Sequence, residues 1–190
     1  LSNASFLLAN LSGVNLTDVT LKGTNFWKTD LSGVDFTVTA KKSYHGTIFK
    51  EANLSNSNFE GVSLSPAQVF IQNFENVRDR IEGGTYHPLE LMLKLYGKGY
   101  VENVGYIGLD NIHIISTEAH ENDLVVKFVF FTNFYNANLE NANFKNAGLW
   151  HVGLASANLT NADLSGADLS KALLNNANLS NANLQGADLS

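Results

Sequence analysis

The sequence predicts a mainly β solenoid, and three observations predict it. From Phe134 to Leu189 every fifth residue is large and apolar, in twelve consecutive positions without a slip. Two positions before each stands a small residue, alanine in ten of the twelve. The remaining positions are mostly Asn, Asp, Ser, Gly and Thr. On an α-helix a step of five turns about 500°, so the leucines would spiral round it instead of forming a stripe. On one continuous strand the same step would throw alternate leucines to opposite faces. Within one pentad, however, the small residue and the leucine are two apart and point the same way off an extended segment. The chain therefore bends once per pentad, with alanine and leucine inside and polar residues at the bends.

The N-terminal residues carry the same period at Leu1, Phe6, Leu11, Leu16, Leu21, Phe26, Leu31 and Phe36, with bulkier inner partners such as Val14, Thr24 and Val34. The phase breaks after Phe36 and resumes at Phe49, Leu54, Phe59 and Leu64. One degenerate side near Tyr44, with a three-residue bulge in 37–43, restores the count, so residues 37–46 read as an irregular loop. Residues 65–131 break the pattern and read as a small α+β insert. Ser65-Pro66-Ala67-Gln68 has the form of a helix start, and Val69/Phe70, Phe74, Val77 and Ile81 follow at helical spacing. Pro88 to Tyr96 reads as a second short helix. Ile112 to Thr117 and Leu124 to Phe131 read as a β-hairpin, and Tyr100 to Ile107 as a third strand. The seventy residues from Leu64 to Phe134 are an integral number of pentads. The coil of 1–64 is therefore expected to continue into 132–190.

The Ala-(Asn/Asp)-Leu-x-x string, as in Ala157-Asn158-Leu159 and Ala167-Asp168-Leu169, resembles the pentapeptide-repeat family. The resemblance covers 1–64 and 132–190. It implies a right-handed quadrilateral β-helix with four pentads per turn, so that residues stacked on one side are usually twenty apart. Counted so, the chain makes about six coils, a rod of roughly 30 Å at the spacing of neighbouring strands. Side one then holds Phe6, Phe26, Phe49, Phe134, Leu154 and Leu174. Side four holds Leu21, Tyr44, Leu64, Leu149, Leu169 and Leu189. The loop 37–46 and both ends of the insert fall at the corner between sides four and one.

Composition narrows the function classes. The 190 residues contain no cysteine, which removes disulfides and thiolate metal sites. The net charge is −6, with nine acids and five bases in 65–131 against four acids and two bases in 132–190. No apolar run reaches the ~20 residues of a membrane span. No basic-then-apolar leader opens the chain, and its first residue is not methionine. It reads as a processed or excised piece, with the cytoplasm the favoured compartment. Open coil ends at Leu1 and Leu189 predict end-to-end stacking of copies or a cap in flanking sequence.

Candidate chemistry is sparse. Histidines 45, 87, 113, 120 and 151 lack the i,i+4 or HxH spacing of a metal site. Gly97-Lys98-Gly99 lacks the rest of a phosphate loop, and no serine sits in a G-x-S-x-G elbow. No catalytic residue, cofactor or metal is expected. The outward aromatics are more informative, because an exposed tryptophan on a regular surface marks a contact. Trp27, Lys41, Lys42, Tyr44 and His45 form the candidate partner-binding group. Tyr135, Trp150 and His151 form the candidate surface on which the insert docks. The leading expectation is a non-enzymatic scaffold that presents the insert and loop to a protein partner, without direct nucleic-acid binding. Two other readings stand beside it. Some pentapeptide-repeat proteins resemble B-form DNA and act on DNA gyrase or topoisomerase; against a strong form of this, the coil is far less charged than DNA, which carries about one charge per 1.7 Å. A small-molecule or catalytic site in the insert is the third.

Overall fold

The regular pentads all bend through the same turn. The carbonyl of the large inner residue accepts from the N–H three residues on, as Leu159 O does from Ala162 N at 3.0 Å. The second residue of the bend has positive φ and the first does not, which makes a type II turn; at Asn161 φ is 58°. Asparagine and glycine recur at this position because they enter the left-handed region most cheaply. The residue between the two inner ones closes an Asx turn. Its side-chain oxygen accepts from the N–H of the first bend residue, as Asp163 does from Ser165 at 2.9 Å. That acceptance holds the Asp163 carboxyl below the usual carboxylate range, through the Ser165 hydroxyl first and the Ser165 N–H second. The consensus Ala-(Asn/Asp)-Leu is thus one inner small residue, one bend lock and one core residue.

The computed structural model describes residues 1, 4–21, 23–38, 44, 46–65 and 131–190, and the backbone of 70–74, 100–101, 105–106, 112–120 and 123–130. Parallel bridges stack the pentads into four columns. Side one joins Ser5, Asn25, Ile48, Asn133, Gly153 and Leu173 in succession. Side two joins Asn10, Asp30, Asn53, Asn138, Asn158 and Asn178. Side three runs from Asp35 through Asn58, Asn143 and Asp163 to Asn183, and side four from Ser63 through Gly148 and Asp168 to Asp188. Amide ladders reinforce side two, where Asn138 Nδ2 donates to Asn53 Oδ1 at 3.3 Å and Asn158 Nδ2 to Asn138 Oδ1 at 3.1 Å.

The coil runs straight across the interruption. Ser63 bridges Gly148 and Ile48 bridges Asn133, each eighty-five residues away. Two phenylalanine stacks cross the join: Phe49–Phe134 on side one and Phe59–Phe144 on side three, both with centroids 4.9 Å apart. Edge-to-face pairs tie the two stacks through the interior, Phe59–Phe134 at 5.9 Å and Phe134–Phe144 at 6.1 Å. Alternating stacked and edge-on rings suit the aromatic quadrupole, so this is the most specifically packed part of the core. The Thr132 hydroxyl lies 2.9 Å from Leu64 O and 3.1 Å from Tyr44 O, and ties the returning chain to the coil it left.

The strands of the intervening segment are β1 (Phe70–Phe74), β2 (Tyr100–Val101), β3 (Gly105–Tyr106), β4 (Ile112–His120) and β5 (Asp123–Phe130). The expected hairpin is there: β4 pairs antiparallel with β5, from Ile112↔Phe130 to His120↔Asp123. Two other expectations need correction. Phe70–Phe74 is a strand, paired antiparallel with β5 from Phe70↔Phe128 to Phe74↔Leu124, and not the start of a helix. A spacing of four satisfies both the helical period and the strand period of two, and pairing with β5 decides between them. Tyr100–Ile107 is not one strand, because β2 and β3 fold back on each other with Tyr100 opposite Tyr106. The expected helix of 88–96 lies outside the described residues. Since β1 leads out of the coil and β5 leads back, their pairing places both ends of this segment at one point of the rod.

One defect in the core yields a prediction. The Ser57 hydroxyl occupies an inner small position, buried and without a partner among the described residues. Ser57→Ala should raise stability by about 1 kcal/mol in urea unfolding, since a buried unsatisfied hydroxyl is removed at little change of volume. A loss of stability would show that the hydroxyl is in fact satisfied.

Candidate functional site

Sides two and three are uniform, so any distinct surface lies on sides one and four. On side one the first bend position runs Leu7, Trp27, Lys50, Tyr135, Ala155 and Asn175, each next to its neighbour in the adjoining coil. Trp27 is 37% exposed and Tyr135 is 44% exposed. Both turns are locked in the ordinary way, Trp27 N–H donating to Asn25 Oδ1 at 2.9 Å and Tyr135 N–H to Asn133 Oδ1 at 2.7 Å. Between the two rings lies half-buried Lys50. Its ammonium is 5.5 Å from the Trp27 ring centre and 5.6 Å from the Tyr135 ring centre. Lys28 approaches the Trp27 ring at 5.4 Å and pairs with Glu51 at 3.4 Å. The result is a cation held between two aromatic side chains, a geometry that orders two exposed rings and the half-buried lysine between them.

Beside this ladder opens a slot of about 340 Å³, lined by Lys50, Phe131, Asn133, Tyr135, Gly153, Ala155 and Leu173. Two of its lining residues depart from the consensus: Gly153 and Leu173, like Ile48 on the same side, stand where an Asn or Asp closes the turn elsewhere on the rod. At Gly153 the reason is steric: a Cβ there would lie 2.5 Å from the Phe131 ring, which packs directly on the backbone. Leu173 and Phe131 give the slot apolar walls, and Lys50 is the only charged residue in its lining among the described residues.

On side four, Gly148 also lacks the locking side chain, and the Ser65 hydroxyl takes its role by accepting from Trp150 N–H at 3.1 Å. Trp150 is half-buried, with the His151 ring edge-on to it at 4.3 Å.

The sequence-derived candidates divide as follows. Trp27 is on the surface, as expected. Tyr44 is a correction: it is fully buried as the inner residue of its side, and its hydroxyl donates to Phe36 O, so it has no face for a partner. A tyrosine fits there because the irregular pentad exposes an interior carbonyl that the phenol satisfies. Lys41, Lys42 and His45 lie outside the described residues. Tyr135 belongs with Trp27 in the exposed ladder, joined to it by Lys50. Sequence reasoning missed Lys50, Phe131, Gly153 and Leu173. The available signal was the middle residue of the pentad, which is Asn or Asp at all twelve places on sides two and three and departs only on sides one and four. Among the described residues no group of three His, Cys, Asp or Glu stands close enough to hold a metal. No helix among them is long and apolar enough to cross a membrane.

Comparison with known proteins adds the following. A family model for pentapeptide repeats matches residues 1–37, 45–66 and 154–190 in eight copies. No curated protein matches the chain. Among solved structures, a pentapeptide repeat protein from the Arabidopsis thaliana thylakoid lumen is 34% identical over 30% of this chain and 43% of its own, with a TM-score of 0.24. HetL, a pentapeptide repeat protein involved in heterocyst differentiation regulation from the cyanobacterium Nostoc sp. strain PCC 7120, is 20% identical over 98% of this chain and 55% of its own, with a TM-score of 0.30. The pentapeptide repeat protein Rfr23 from the cyanobacterium Cyanothece 51142 is 18% identical over 100% of this chain and 87% of its own, with a TM-score of 0.23. The chain spans about half the length of the first two.

Proposed function

We propose that this chain, which belongs to the pentapeptide-repeat family, is a non-enzymatic interaction module that binds a protein partner along the edge between sides four and one. Proteins of this family are right-handed quadrilateral β-helices, and repeats of this kind form stiff rods whose insertions cluster on one face. The observation that carries the reading is the Trp27–Lys50–Tyr135 ladder. It is exposed, ordered and set beside the point where 65–131 leaves and rejoins the coil. Aromatic rings and a cation on a preorganised surface are the residue types that dominate binding hot spots. In this reading 65–131 is an insert that docks over Trp150 and His151, and Lys41, Lys42 and His45 complete the partner surface around Trp27.

The test compares the wild-type chain with a Trp27→Ala/Lys41→Glu/Lys42→Glu variant, each immobilised and exposed to native lysate. Proteins retained by the wild type should be lost from the variant, while the unfolding free energy changes by no more than about 1 kcal/mol, as for surface sites. Retention of the same proteins by both would remove the proposal.

A further inference from the structure

The ladder on side one seats a cation in a space wider than an ammonium needs. The bridges Asn25↔Ile48 and Ile48↔Asn133 set Trp27 and Tyr135 two coils apart, about 10 Å at the spacing of neighbouring strands. An Asx bond pins the backbone of each at its bend, so the width of the seat is fixed by the rod. The Lys50 ammonium lies over both rings, with Nζ 5.5 Å from the Trp27 centre and 5.6 Å from the Tyr135 centre. A methyl group on a nitrogen at that point would reach about 1.5 Å closer, to about 4 Å from each ring, which is van der Waals contact. A bare ammonium stops short of contact with either face.

From this fit we infer that the Trp27–Tyr135 seat binds a quaternary ammonium group, carried by a trimethylated lysine of the protein partner. The inference rests on the interaction-module reading above and names the group that the ladder recognises. Electrostatics favour a cation there, because both rings turn their electron-rich faces toward it. In the chain alone Lys50 occupies the seat, and the methylated cation exchanges with it. A lysine ammonium is compact and strongly hydrated, so it regains solvation on swinging out, whereas a quaternary ammonium gives up little on entering. The Lys50 stem remains beneath as an apolar floor. Lys28 also lies over the Trp27 ring, at 5.4 Å, but its partner Glu51, 3.4 Å away, offsets that charge. Leu7, Trp27 and Tyr135 lie in one line along the rod, a row that fits an extended segment. Leu8 beside it is 70% exposed with φ of 60°, a conformation the rod gives mostly to Asn and Gly. A bulky apolar residue in that strained place is explained by contact with residues flanking the bound lysine.

The probe is the peptide acetyl-Leu-Lys(trimethyl)-Leu-amide, titrated with the full chain and followed by NMR, with the unmethylated peptide as control. The N-methyl signal should move saturably upfield, because it enters the shielding zone of two ring faces. The unmethylated peptide should bind at least about threefold more weakly. Trp27→Leu and Tyr135→Leu should each weaken binding about threefold or more, with the melting temperature nearly unchanged because both rings are exposed. Lys50→Met keeps the stem and removes the competing ammonium, so it should strengthen binding about fivefold. No upfield shift with the wild type, equal binding of the unmethylated peptide, or weaker binding by Lys50→Met would overturn the inference. Sedimentation of the chain with dioleoylphosphatidylcholine vesicles, without binding of the peptide, would assign the seat to a lipid headgroup and overturn the protein source. Lysate capture separates the two proposals. If captured proteins depend on Trp27 but the trimethylated peptide does not bind, the interaction-module reading stands and this inference falls. If the wild type retains no protein yet binds the peptide, the module reading falls and the seat chemistry stands.

Discussion

Phe134→Ala should cost about 3–5 kcal/mol of unfolding free energy, the range for deleting a buried phenylalanine from a well-packed core. Phe134 is fully buried and is the first large inner residue of a pentad after the chain returns to the coil. It stacks on Phe49 at 4.9 Å with 6° between the ring planes. It also meets Phe59 and Phe144 edge-on at 5.9 Å and 6.1 Å. Truncation therefore breaks packing within the returned coil and packing across the join together. The surrounding rings are held by regular backbone ladders on both sides, so the cavity cannot collapse cheaply. Urea unfolding followed by circular dichroism measures the loss. Leu184→Ala is the control, because Leu184 is only partly buried near the end of the rod. A loss at Phe134 no larger than at Leu184 would show that the two halves of the coil do not depend on each other.

Gly153→Asn should destabilise the protein by up to about 2 kcal/mol, the 1–3 kcal/mol cost of overpacking less the hydrogen bond gained, although it restores the family consensus. Asparagine there would provide an Oδ1 for the Ala155 N–H, which has no acceptor among the described residues. Its Cβ, however, would sit 2.5 Å from the buried Phe131 ring. The steric term exceeds the hydrogen bond gained, which is worth about 1 kcal/mol net. The matching double mutant decides the cause. Phe131→Ala/Gly153→Asn should be more stable than the sum of the two single changes allows, because the clash is removed and the turn is locked. Strict additivity would show that Phe131 is not what keeps position 153 a glycine.

The parts of the structure that were legible in the sequence are those governed by local repetition. Phe49, Phe134 and Leu154 could be placed on one side before any coordinates, because a turn every five residues fixes the phase of each inner residue. The seventy residues between Leu64 and Phe134 likewise indicated that the coil resumes in register, as the Ser63–Gly148 bridge shows. Tyr44 illustrates the limit. Its place in the register was correct, yet its aromatic ring made it look like a surface residue, and only the Phe36 carbonyl explains why a phenol is buried there.

The candidate site was only half legible. Trp27 stands out in any reading, whereas Lys50 becomes informative only beside Tyr135, eighty-five residues away in the chain. Phe70–Phe74 shows the same dependence, since a spacing of four is equally helical and extended until β5 lies alongside. By itself, the sequence determined the coil, its period, its inner and outer residues and the corner where regularity fails, because each of these depends on neighbours within a pentad. Tertiary structure alone decided what occupies that corner: the ring of Phe131 on Gly153, the cation between Trp27 and Tyr135, and the Ser65 hydroxyl that locks the turn at Trp150. Those depend on which coils become neighbours across an interruption, and the energy that selects them comes from contacts with no counterpart in local sequence.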